Sequence, residues 1–140
     1  MTDLPDVNTL VALHLPRRTS HKAAAEWFAN TTQFATTPVT EMGLVRILMN
    51  PAVTKENPVN ASTAMRVLQK LKEHPKSVFW PDNLEFDKSH FAYALTGHSQ
   101  VTDLHLLDIA AARNSRLVTF DKKLAAALRP KDRKYLHLLT

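Results

Sequence analysis

Short apolar runs alternate with helical-period stripes along this chain. Leu4 to Val7, around Pro5 and Asp6, predicts a first strand leading into a helix near Thr9–His14, which Pro16 stops. Ser20 is placed to cap a second helix with Ala23, Ala24, Trp27 and Phe28 on its apolar face. Phe34 to Thr37 predicts a second strand. Pro38 then precedes a helix capped by Thr40, with Glu41 in its first turn and a stripe of Met42, Val45, Leu48 and Met49. Residues 51–59, containing Pro51 and Pro58, predict a loop, and Asn60 caps a helix bearing Ala64, Val67, Leu68 and Leu71. Val78–Trp80 reads as a third strand and Phe91–Leu95 as a short helix. Thr102 caps a helix with Leu104, Leu107, Ala110 and Ala111 on one face, and Asn114 suits a left-handed helix end. Leu117–Phe120 predicts a strand with Asp121 at its carboxyl end, followed by a helix over Lys123–Leu128 and a last strand over Tyr135–Leu139.

Strands alternating with helices predict an α/β fold, a mostly parallel sheet between helices, in a single domain over residues 1–140. Ligands of such sheets bind beyond the carboxyl ends of the strands, so the polar residues at those ends are the ones to weigh.

Composition narrows the chemistry. Cysteine is absent, which excludes disulfides, thiolate zinc sites and cysteine nucleophiles. With only Gly43 and Gly97, neither a dinucleotide fingerprint nor a P-loop can be built. No apolar run approaches a membrane span and the start lacks a signal peptide's basic end, so a soluble cytoplasmic protein is expected. The net charge is +5, and residues 111–140 alone carry eight Lys or Arg against two Asp. A basic end of this kind suits a polyanion.

Four acids fall at strand ends or helix starts: Asp6, Glu41, Asp103 and Asp121. A parallel sheet can bring them to one edge, where their charges repel unless a cation neutralises them. Hard divalent ions prefer oxygen ligands, so magnesium or manganese fits an all-carboxylate set. Asp3 reads as a solvated terminal charge. Asp108, five residues or roughly 140° round the helix from Asp103, reads as surface charge. His14, His21 and His105 read as surface or satisfied polar residues.

Asp6-Val7-Asn8, Thr40-Glu41 with Arg46, Thr102-Asp103 with Leu107, and Thr119-Phe120-Asp121 together resemble the PIN domain, and most closely its VapC-type ribonuclease toxins. The resemblance runs from about Leu4 to Leu128. It implies a three-layer α/β/α fold with about five strands and a magnesium- or manganese-dependent endoribonuclease that hydrolyses RNA with metal-activated water. It implies the toxin of a type II toxin–antitoxin pair, with a cognate antitoxin and a homodimer as partners. Carried over, Asp6, Glu41, Asp103 and Asp121 are the metal-binding catalytic acids, and Asn8 and Thr119 orient them. Lys122, Lys123, Arg17 and Arg18 are candidates for gripping RNA. Asn114-Ser115 stand where many relatives have glycine, and Phe79-Trp80-Pro81-Asp82 resembles one subgroup of these toxins. The alternatives are a PIN-like module that binds RNA or a partner without turnover, and a phosphatase-type enzyme. The latter would want Asp-x-Asp where Asp6-Val7-Asn8 stands.

Overall fold

The computed structural model describes residues 1–55 and 57–140. Five parallel strands form its sheet: β1 (Thr2–Pro5), β2 (Gln33–Thr36), β3 (Ser77–Phe79), β4 (Arg116–Thr119) and β5 (Leu136–Leu138). Their spatial order is β3-β2-β1-β4-β5. The helices are α1 (Val7–His14), α2 (His21–Asn30), α3 (Pro38–Leu48), α4 (Pro51–Thr54), α5 (Ala61–Glu73), α6 (Val101–Ala112) and α7 (Lys122–Ala127). Side chains alternate across each strand. Leu4, Ala35 and Leu117 therefore face a core shared with α6 and α7, while Phe34 and Val118 face the core under α1, α2, α3 and α5. This is the expected three-layer α/β/α arrangement, and no helix among the described residues is long and apolar enough to cross a membrane.

The element boundaries differ from the sequence expectation in ways the caps explain. The first strand begins at Thr2 and ends at Pro5, because Asp6 leaves the sheet to accept the amide of Thr9 and start α1. The cap of α3 is Thr37; Thr40 sits one turn in, its hydroxyl accepting from the Thr37 amide at 3.1 Å. Thr102 is not a cap either, since α6 grows directly out of a 3₁₀ turn over His98–Gln100. Within the expected loop 51–59, Asn50 accepts the amide of Ala52 at 3.0 Å and nucleates α4 on Pro51; Glu56 of that stretch lies outside the described residues. Phe91–Leu95 forms only a 3₁₀ turn over Ala92–Ala94. Asn114 does take the left-handed conformation, with φ of 51°.

Two acids expected at the surface are buried. Asp3 is 2% exposed and accepts hydrogen bonds from the Trp27 indole at 2.8 Å, the Thr31 hydroxyl at 2.9 Å and the Arg116 guanidinium at 2.8 Å. Asp108 is likewise buried, accepting from the Ser89 hydroxyl and from the His90 amide at 3.2 Å. Burial pushes the Asp3 carboxyl up, but the bonds from Arg116, Trp27 and Thr31 outweigh it and hold the group below its ordinary value.

Gly43 permits a close approach between two helices. A Cβ there would stand 2.4 Å from Cγ2 of Val7, so α3 lies closer to the start of α1 than any side chain would allow.

Replacing Asp3 with alanine leaves Trp27, Thr31 and Arg116 without their shared acceptor. The expected loss is about 3 kcal/mol of unfolding free energy at pH 7, read from urea denaturation. Because the folded group sits below its unfolded value, the wild-type advantage is present above about pH 4 and shrinks as pH falls through the depressed value.

Candidate active site

The strand order reverses between β1 and β4, which opens a crevice beyond their carboxyl ends. Asp6 stands there directly after β1 and is only 1% exposed. One of its oxygens accepts the Thr9 amide at 2.8 Å, capping α1, and the other accepts the Thr119 hydroxyl at 2.6 Å. That same Thr119 oxygen accepts the Asp121 amide at 3.0 Å, and Asp121 caps α7 through the Leu124 amide at 3.0 Å. One buried hydroxyl thus fixes the backbone and carboxylate geometry of two acids. Asp103 enters from the first turn of α6. Glu41 stands beside the end of β2, in the first turn of α3, where it accepts the Thr36 hydroxyl at 2.8 Å and pairs with the Lys72 ammonium at 2.9 Å.

All four acids sit at helix amino ends, where the helix dipole favours negative charge. That support does not cancel the repulsion among the three aspartates. Burial pushes Asp103 up to about 8, and the charges of Asp6 and Asp121 add to the rise. Burial also raises Asp6, with Asp121 adding to it, against the opposing bonds from Thr119 and Thr9. Three aspartates therefore feel one another strongly, while Glu41 is neutralised by Lys72. Among the described residues, no three acidic or histidine side chains are gathered closely enough to close around one ion. The match to a hard divalent cation lies in the donor chemistry: carboxylate oxygens carrying a repulsion that a cation would relieve.

The remaining sequence candidates fall in different places. Asn8 is exposed on the first turn of α1 and bonds to none of the four acids. Lys122 and Lys123 are exposed on the first turn of α7, immediately after Asp121. Arg17 and Arg18 lie beyond the far end of α1, lining a depression with Ala52, Val53 and Lys55 rather than joining the acids. His14 and His21 each bond to a backbone carbonyl at 2.8 Å, and His105 pairs with Asp82 at 2.7 Å. Thr9, Thr36 and Lys72 were not singled out in the sequence. A hydroxyl five residues before Glu41 was a usable signal for Thr36; nothing local marks Lys72, whose partner lies two elements away.

A family model of the PIN domain matches residues 4–129. The chain belongs to the PIN-domain family. Within it, the chain falls among the VapC ribonucleases: it is 40% identical to Ribonuclease VapC39 of Mycobacterium tuberculosis over 131 residues, covering 89% of this chain and 92% of the relative. It is 37% identical to Ribonuclease VapC29 of the same organism over 126 residues, covering 89% and 90%. The crystal structure of VapC20 from M. tuberculosis, a toxin that cleaves the sarcin–ricin loop, superposes with a TM-score of 0.65 at 10% identity, covering 89% of this chain and 94% of that one. At that identity the likeness is one of PIN fold alone.

The raised Asp103 carboxyl makes a stability prediction. Its folded value of about 8 lies above the ordinary aspartate value of 3.8, so between those pH values the folded PIN domain holds a proton that the unfolded chain releases. Stability then falls as pH rises through that window. In chelator, Asp103→Asn should raise the melting temperature at pH 8 by on the order of 5 °C and change it little near pH 4. A gain that is the same at both pH values would show that Asp103 is not under repulsion.

Proposed function

We propose that this PIN-domain protein is a magnesium- or manganese-dependent endoribonuclease that hydrolyses RNA phosphodiester bonds, and that it is the toxin of a type II toxin–antitoxin pair acting in the cytoplasm. The observation carrying this proposal is the crowding of Asp6, Asp103 and Asp121 at the β1/β4 crevice, where Asp103 is pushed up to about 8. To hold the ion, those three aspartates and Glu41 would draw closer together than they stand here. When bound, such an ion supplies Lewis acidity toward water and toward phosphoryl oxygens. The chain's own residues do the rest. Thr119 keeps Asp6 and Asp121 in fixed orientation, Thr36 orients Glu41, and the helix starts behind the acids stabilise their charged forms. Lys122 and Lys123 flank Asp121 and attract the phosphate backbone without reading sequence. The relatives' names as ribonucleases support RNA as the substrate, and the antitoxin partner follows from the proposed toxin role.

The test is cleavage of a mixed RNA substrate. Turnover should require magnesium or manganese and vanish in chelator, and Asp121→Asn should lower it about 100-fold or more. Asparagine keeps the oxygen that caps α7, so a circular dichroism melt should report an intact fold. Metal-independent cleavage, or full activity in Asp121→Asn, would overturn the proposal.

A homodimer completes the proposal, and the methionine face supports it. Of the stripe expected on α3, only Leu48 is deeply buried; Met42 and Met49 face solvent, joined by Met65 from α5. Together with Val45 and Leu68 they line a mostly apolar depression beside Glu41. Flexible thioethers adapt to a second copy of the same surface. Light scattering at micromolar concentration should give a dimer mass, and Met42→Lys with Met65→Lys should give a monomer. A clean monomer in the wild type would count against it.

A further inference from the structure

The stretch Phe79-Trp80-Pro81-Asp82 is explained only in part by packing. Val78 and Trp80 point to one face of the sheet and join the core over α6, with the Arg113 guanidinium 5.0 Å from the centre of the Trp80 ring. The Trp80 amide donates to the Thr36 carbonyl at 2.8 Å, and Asp82 pairs with His105 of α6. These contacts fix the exit from β3. The alternation of the strand then turns Phe79 to the opposite face, in register with Thr36, which holds Glu41. There it is 47% exposed.

The Lys72 ammonium sits 4.6 Å from the centre of that ring and 2.9 Å from the Glu41 carboxylate. A flat π surface, a cation and a candidate catalytic acid therefore meet at the carboxyl ends of β2 and β3. A lone exposed phenylalanine suits many apolar partners. One with an ammonium seated over it suits a ligand that is both flat and anionic, which describes a nucleotide. Every base has a face to stack, so such a contact is tolerant of sequence. An apolar peptide would cover the ring but offer no acceptor to the ammonium donors that Glu41 does not take.

We infer that Phe79 and Lys72 form a nucleotide subsite beside the acids, in which the ring stacks on an unpaired RNA base and the ammonium holds an adjacent phosphate. This subsite rests on the ribonuclease proposal above. It differs from the basic helix start at Lys122 and Lys123, which grips backbone alone.

The experiment uses Asp121→Asn as the parent, so that RNA is bound and not cut. Binding of a fluorescent ten-nucleotide single-stranded RNA, and of a matched strand carrying abasic positions, is followed by anisotropy across a salt series. Phe79→Ala should weaken binding of the normal strand about tenfold, leave the abasic strand unaffected and leave the salt slope unchanged. Phe79→Trp should restore the affinity, which guards against a general loss of fold. Lys72→Met should lower the salt slope by about 0.7. Unchanged affinity in Phe79→Ala, or an equal loss for both strands, would overturn the subsite while leaving the ribonuclease proposal standing. A wild type that neither cleaves nor binds RNA would overturn both.

Discussion

Repulsion between like charges is the constraint around which this molecule is arranged. Two carboxylates about 4 Å apart repel by roughly 4 kcal/mol at the effective dielectric of a protein surface, and here several are turned toward one crevice. The fold answers with donors aimed at three of the acids. Asp6 and Asp121 each cap a helix, Thr119 lends its hydroxyl to one and accepts from the other, and Thr36 and Lys72 satisfy Glu41. Asp103 has no such partner among the described residues, and it is the acid driven furthest from its ordinary behaviour.

The two ends of β1 make the comparison within one strand. Asp3 and Asp6 are both nearly inaccessible, yet their carboxyls shift in opposite directions. Asp3 meets an arginine, an indole and a hydroxyl on the neighbouring elements, so burial strengthens its bonds. Asp6 meets two donors and another acid, so burial adds to its cost. The amino edge of the sheet is a fastening that ties β1, α2 and β4 together. The carboxyl edge keeps an unresolved charge, the sort of local conflict found where function competes with stability.

Much of the fold was legible because the apolar spacing is regular: all five strands fall within one or two residues of where the pattern puts them. The boundaries slipped where a cap decided them, as at Thr37 and Gln100, since a cap depends on backbone angles that the neighbouring residues do not fix. The region between β3 and α6 was the least legible, because its 3₁₀ turns lack helical periodicity. The four acids could be named because each lies at the start of a helix. Asp3 and Asp108 were misread because what makes a charge tolerable in the interior is its partners, and Arg116 and Ser89 are remote in sequence. Lys72 was invisible for the same reason.

Gly43 has no polar atom beyond its backbone, yet it sets how near the helix bearing Glu41 comes to the one that Asp6 caps. Its missing methyl group lets α3 settle against Val7, the residue next to Asp6. Valine is stiff about χ1 and cannot swing aside without shifting the helix that carries it. The spacing of these two acid-bearing helix starts is therefore encoded partly as empty volume. Any transplant of this cluster onto another scaffold would have to copy that void along with the carboxylates, and a search restricted to residues with reactive side chains would leave it behind.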